Sequence, residues 1–229
     1  MGNLEKDTCK NCTEICDLVR NIDNDVPDIL LRNISQVQYK RKETIVKQSS
    51  HSSHVIYLKS GLVKTVTERR NNKNIILKLL TPKSFIDLSQ LSSDNYNFSV
   101  IALKDSEVCL IPKEIIYKRV SQNKDFAKLV LDDHAKLLSF LIDKISSLGT
   151  KQMHGSLADV ILYLCSKEFN NIEVFNSITR RDIAEMSGMS SESAIRLLTE
   201  FKNDGLIKVD GKKIEINNIE LMNRLSDIG

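Results

Sequence analysis

Five cysteines stand at positions 9, 12, 16, 109 and 165 of the 229-residue chain. Cys9, Cys12 and Cys16 crowd together near one end, and an odd total is not the pattern of a disulfide framework. In a chain of this length clustered thiols point to metal or redox chemistry, because the thiolate is both the nucleophile and the metal ligand. Cys165 sits inside an apolar helical pattern and reads as core. A second constellation is Glu192 with Arg196, four residues apart and therefore on one face of a helix. A carboxylate accepts from cytosine N4, and a guanidinium forks onto guanine O6 and N7. The ordinary alternative for such a pair is a solvated ion pair along the helix.

Composition narrows the classes around these residues. With 41% apolar and 28% charged residues the chain reads as a soluble globular protein of one or two domains. No stretch approaches the ~18 apolar residues of a bilayer span, and Met1 to Thr8 is polar where a secretory signal begins its apolar core. The expected location is the cytoplasm, with no membrane partner. A net charge of +3 is too balanced to announce nucleic acid, so any DNA footprint must be local. No nucleophile elbow, phosphate-cradling glycine loop or zinc-protease motif occurs, and an enzyme is not expected.

The elements that must position these residues differ along the chain. Thr44 to Lys47, Val55 to Lys59, Leu62 to Glu68, Asn74 to Leu80, Phe98 to Leu103 and Glu107 to Ile111 are rich in β-branched and aromatic residues. Turn residues separate them, Ser60-Gly61 among them, and strands so spaced suggest a small barrel or roll. After Pro112 the period changes. Val130, His134, Leu137, Leu141, Ile145 and Leu148 recur every three or four residues, the pattern of a long amphipathic helix. Leu131, Leu138 and Ile142 widen its apolar face enough for its own domain and a second copy. Asp143 and Lys144 read as a solvated face or a charged fringe of that contact.

From about Thr150 the pattern is helical. Thr179 with Asp182 is a capping-box-like start, Gly188 a turn, and Ser190 or Ser191 the cap of a second helix ending at Asp204-Gly205. Asp210-Gly211 then turns a β-hairpin. Together they spell a winged helix-turn-helix, whose second helix enters the major groove while the hairpin touches the backbone. Ser190, Ser191, Glu192, Ile195, Arg196 and Thr199 point outward on that helix, whereas Ala194, Leu197, Leu198 and Phe201 pack. Thr150 to Gly229 holds 10 Lys and Arg against 12 Asp and Glu, so attraction to phosphate rests on a local cluster of Arg180, Arg181, Lys208, Lys212 and Lys213. Affinity per copy is then modest, and a dimer on a two-fold site is expected.

The order β-roll, long helix, winged helix-turn-helix resembles the Crp/Fnr family of bacterial transcription regulators. The residues that carry it are Tyr57 to Lys64 in the roll, Thr179-Arg180-Arg181-Asp182-Ile183-Ala184, and Gly188 to Leu198. The resemblance implies an α+β fold: a cysteine-bearing arm at 1–20, a cyclic-nucleotide-binding-like roll at 21–120, a dimerisation helix at 121–149 and a DNA-binding domain at 150–229. It also implies a homodimer, joined through Val130, His134, Leu137, Leu141, Ile145 and Leu148, on an inverted repeat in double-stranded DNA, with RNA polymerase as a further partner. Glu192 and Arg196 match the family's base-reading pair, and Ile195 falls where members vary. Arg180, Arg181, Ser190, Ser191 and Lys212 complete the expected DNA contacts.

Family members that bind cyclic AMP carry Gly-Glu-Leu and an arginine that meets the cyclic phosphate. Here Ser84-Phe85-Ile86-Asp87-Leu88 and Asn97-Phe98-Ser99 stand in their place, and no arginine is available. Oxygen-sensing members hold a 4Fe-4S cluster on three N-terminal cysteines and one in the roll. By that resemblance Cys9, Cys12, Cys16 and Cys109, the last in Val108-Cys109-Leu110-Ile111-Pro112, are the ligands, although the gap from Cys12 to Cys16 is shorter than is usual. Zinc on the same sulfurs is an alternative occupant. A thiol switch, a plain buried Cys109, and haem near His51 and His54 remain open.

Overall fold

The structure is a computed structural model, described over residues 33–68, 74–86, 88–170 and 172–228. Strands β1 (Ser35–Tyr39), β8 (Ser106–Pro112), β3 (His54–Ser60) and β6 (Ser84–Phe85) form one sheet in that order, all neighbours antiparallel. β2 (Thr44–Val46) pairs with β7 (Ser99–Ala102), with a register shift between Thr44 and Val46. β4 (Val63–Thr67) and β5 (Ile75–Leu80) are neighbours, and Thr65 Oγ1 bonds both backbone groups of Lys78 at 3.2 Å. In β3 four successive residues, Val55 to Leu58, are buried, the mark of a strand covered on both faces. Gly61 makes the bend after β3 at φ 101; a Cβ there would lie 2.2 Å from Ser106 Oγ and 2.7 Å from Asp105 O, so only glycine fits.

Pro112 ends β8, and α1 (Lys113–Gln122) follows at once. Asn123 stops that helix with extended backbone and starts the next, its side chain accepting from Phe126 N at 2.8 Å. α2 (Lys124–Thr150) then runs 27 residues, about 40 Å. Its first turns are anchored: Phe126 and Val130 join Ile34, Val55, Tyr57, Phe85, Leu88, Cys109, Ile111, Ile115 and Ile116 in one buried cluster on a face of the first sheet. Downstream lie α3 (Met153–Leu164), α4 (Val174–Ser177), α5 (Arg180–Ser187), α6 (Ser191–Asn203), the hairpin β9 (Ile207–Asp210) and β10 (Lys213–Ile216), and α7 (Ile219–Ile228). The architecture is thus the expected α+β one, with a β-rich N-terminal part, a long helix and a C-terminal helix-turn-helix with a wing.

By contacts the chain divides into two compact units. One comprises the described part of Met1–Val63 with Pro82–Ser139, the other Lys64–Thr81 with Phe140–Gly229. In the second, Leu157, Ala158 and Ile161 of α3, Ile183 and Ala184 of α5, Leu197 and Phe201 of α6, and Met222 of α7 are buried at 0 to 1% exposure. The strands β4 and β5 belong to this second unit. No helix of the described residues is long and apolar enough to cross a membrane.

Candidate nucleic-acid interface

The two helices that could meet a duplex are fixed by local sequence. Thr179 Oγ1 accepts from Asp182 N at 3.1 Å, while the Asp182 carboxylate accepts from Thr179 N at 2.7 Å, a reciprocal box that starts α5. Gly188 ends α5 at φ 68, and a Cβ on it would lie 2.7 Å from Leu148 Cδ2. Ser190 starts α6 by accepting from Ser193 N at 3.1 Å. At the far end Gly205, at φ 70, donates to Lys202 O and Leu206 to Phe201 O, closing α6 with a paired C-terminal motif.

α6 thus holds one face inward and one out. Ala194, Leu197, Leu198 and Phe201 are buried, whereas Glu192, Ile195, Arg196 and Thr199 are exposed. Ser190 is exposed and Ser191 half-buried. Neither Glu192 nor Arg196 takes part in an ion pair among the described residues, so the solvated pair is not formed. The contrast is Arg181, four residues before Glu185, whose Nε does pair with the Glu185 carboxylate at 2.8 Å. Lys213 is likewise occupied, by Glu215 at 2.6 Å. Arg180 is half-buried, and burial lowers its pKa. On α6 and the hairpin the exposed cations outside any ion pair among the described residues are therefore Arg196, Lys202, Lys208 and Lys212. Lys212 shares with Gly211, at φ 55, the two-residue loop of the hairpin whose register pairs Lys213 with Asp210. Lys202 was not singled out by spacing, because its position near the end of α6 resembles ordinary charge at a helix C-terminus.

An anchor that sequence reasoning missed holds α5 from behind. Lys64 on β4 donates to Asp182 at 2.5 Å and lies 3.7 Å from Glu185, with only 14% of its side chain exposed. Burial raises the pKa of Asp182, but the Lys64 charge, its hydrogen bond and those from Thr179 outweigh it and leave the carboxyl below its usual value. A folded-state pKa below the unfolded one contributes stability above the unfolded value, near pH 4, and loses it as pH falls further. Acid titration of unfolding should therefore show stability dropping below about pH 4, and Lys64→Met should flatten that drop.

On α2 the expected seam residues separate. Val130 is spent on its own chain's buried cluster, and His134, Leu137, Leu141 and Leu148 are half-buried; of the six only Ile145 is exposed. The open apolar stripe joins Ile145 to Leu131, Leu138 and Ile142, each of these three one position after an expected residue, at 57 to 69% exposure. Leu131, Leu138 and Ile145 repeat every seven residues, the spacing of a coiled-coil stripe, beside the face that Phe126 and Val130 turn into the buried cluster. Lys144 is not solvated; its Nζ donates to Met186 O at 2.8 Å.

Of the thiols, Cys109 lies on β8 in the same buried cluster as Ile34, and burial lifts the pKa of Cys165 to about 11. Cys9, Cys12 and Cys16 lie outside the described residues, as does Asp87. Among the described residues no group of three His, Cys, Asp or Glu forms a metal site. His54 Nδ1 is engaged by Ser53 Oγ at 2.8 Å, and burial lowers its pKa. In the roll Ser99 Oγ accepts from Gln48 N at 2.9 Å, and residues 84–99 include no Lys, Arg or His for a cyclic phosphate.

Comparison with known proteins agrees with this geometry. Residues 36–123 match the cyclic nucleotide-binding domain family, and residues 155–225 match the Crp-like helix-turn-helix domain family. The chain is similar to the transcriptional activator protein FnrA of Stutzerimonas stutzeri, 22% identical over 77% of this chain and 74% of the relative. It is similar also to the cAMP-activated global transcriptional regulator CRP of Salmonella typhimurium, 24% identical over 78% and 88% of the two. Among solved structures FixK2 from Bradyrhizobium japonicum superposes with a TM-score of 0.74 at 19% identity, covering 84% of this chain and 96% of its own.

Proposed function

The chain belongs to the Crp/Fnr family of transcription regulators, and from that premise we propose that it reads an inverted repeat in double-stranded DNA as a homodimer. The observation that carries this reading is the exposed Glu192 and Arg196, unpaired among the described residues, on a helix whose opposite face is locked into the core. Arg196 forks onto a guanine and Glu192 accepts from a cytosine, while Lys208, Lys212 and the start of α5 meet phosphates. Two copies join along Leu131, Leu138, Ile142 and Ile145, which sets the spacing of the half-sites.

Binding should be measured against salt. With three or four phosphate contacts per copy, the log of the association constant should fall with a slope of roughly −5 to −7 per decade of salt for the dimer. A flat profile would instead favour a winged helix turned to protein contact. Arg196→Ala should relax preference at one G·C pair per half-site, at ~1–3 kcal/mol, with other positions unchanged.

For the input we propose a 4Fe-4S cluster on Cys9, Cys12, Cys16 and Cys109, with zinc as the alternative occupant. Four thiolates are the donor set such a cluster takes. Cys109 sits in one buried cluster with Ile34, which lies 18 residues after Cys16 in the chain, and with Phe126 and Val130, which root α2. When bound, an iron-sulfur cluster supplies chemistry that oxygen and nitric oxide disrupt. The chain's own part is to hold one sulfur in an apolar setting against the first turns of the long helix. Iron and sulfide analysis of anaerobically purified protein tests this. Brown, oxygen-bleached protein supports the cluster, and iron-free protein made under strict anoxia removes it.

A further inference from the structure

Within the second unit, the end of α2, α3 and the end of α5 line a half-open cavity of about 340 Å³. That size is at the low end for small-molecule sites. Phe140, Leu148, Val160 and Met186 give it an apolar wall, and Lys144 lines it. The only hydrogen bond of the Lys144 ammonium among the described residues goes to a neutral acceptor, Met186 O at 2.8 Å. The neighbouring carboxylate is already taken: both Asp159 oxygens accept from Lys151 Nζ at 2.9 Å, and the hydroxyls of Ser147 and Ser226 donate to them as well. Burial accordingly lowers the Lys144 pKa to about 8, and the Asp159 charge only partly opposes it. Asp143, the other carboxylate of the lining, is exposed to water. A largely desolvated cation beside an apolar wall, with no anion in contact among the described residues, is costly until an anion arrives.

We propose that this cavity binds a small organic acid, its carboxylate on Lys144 and its apolar body against Phe140, Leu148, Val160 and Met186. The acid gains a charge-assisted hydrogen bond and the lysine a counter-charge. Lys144 holds the Met186 carbonyl near the end of α5, and Leu148 abuts Gly188, so a bound acid touches two residues that hold the turn before α6. An effect on DNA affinity rests on the DNA-binding reading; binding itself does not.

The test is titration calorimetry of the full chain with benzoate, phenylacetate and octanoate, each beside its neutral amide. At least one acid should bind about tenfold more tightly than its amide. Lys144→Met should erase that difference, whereas Lys128→Met, an exposed position on the same helix, should keep it. A second readout uses the unaltered protein: the acid that binds should slow reductive methylation of Lys144, mapped by mass spectrometry, and its amide should not. Equal affinity for acid and amide, no binding by any of the three acids, or an undiminished rate at Lys144 each overturns the proposal. None of these outcomes depends on DNA, so DNA binding that persists while every acid fails removes the ligand site alone.

Discussion

Replacing Leu138 and Ile142 together by glutamate should yield a monomer whose affinity for an inverted-repeat duplex is lower by roughly 10²–10⁴-fold. The reasoning begins with exposure. Leu138 is 60% and Ile142 57% exposed, on a helix whose opposite side is already packed. Covering such a side chain with a second copy gains ~1.5–3 kcal/mol, so the four-residue stripe, doubled across a two-fold axis, suffices for a stable seam. Carboxylates placed there face their own counterparts across the axis and bury charge without a partner. The folded monomer should be unharmed, because neither residue touches its own core. Sedimentation equilibrium reads the association state and fluorescence anisotropy the affinity. A variant that stays dimeric would move the seam elsewhere.

The second large effect is expected at Phe201→Ala, which should destabilise the C-terminal unit by ~3–5 kcal/mol. Phe201 is 1% exposed at the last inward position of α6; its carbonyl accepts from Leu206 N at 2.9 Å, and the His154 ring lies 6.1 Å from its own. Truncation leaves a cavity where α6 meets α3 and loosens the helix that presents Glu192 and Arg196. Denaturant unfolding should show a lower midpoint with an unchanged slope. Ile195→Ala, at a position 51% exposed on the opposite face of the same helix, should alter stability by no more than about 0.5 kcal/mol.

What was legible in sequence was local. Thr179 with Asp182, Gly188, Ser190 and Gly205 each fix a boundary through bonds within a few residues, and all appear where the pattern put them. The longer β-branched runs likewise became strands. What escaped depends on partners far away or on weak patterns. β1 reads Ser-Gln-Val-Gln-Tyr, too polar to announce itself, and exists because β8 pairs with it. α1 follows Pro112 directly and was hidden between strand and long helix, while α7 follows the hairpin in a stretch to which no pattern was assigned. Lys64 and Asp182 are 118 residues apart, a separation at which no spacing rule operates. The position of the open stripe has the same origin: periodicity shows that α2 is amphipathic, but only the sheet decides that Val130 turns inward and Leu131 outward.

The most direct measurement is selection of bound duplexes from a randomised DNA pool, run in parallel with the natural chain and with Arg196→Ala. Two-fold-related half-sites, each with a G·C pair that is enriched by the natural chain and lost from the Arg196→Ala pool, are the predicted result. An unenriched pool, a single site without internal symmetry, or a G·C preference that survives the substitution would contradict the account.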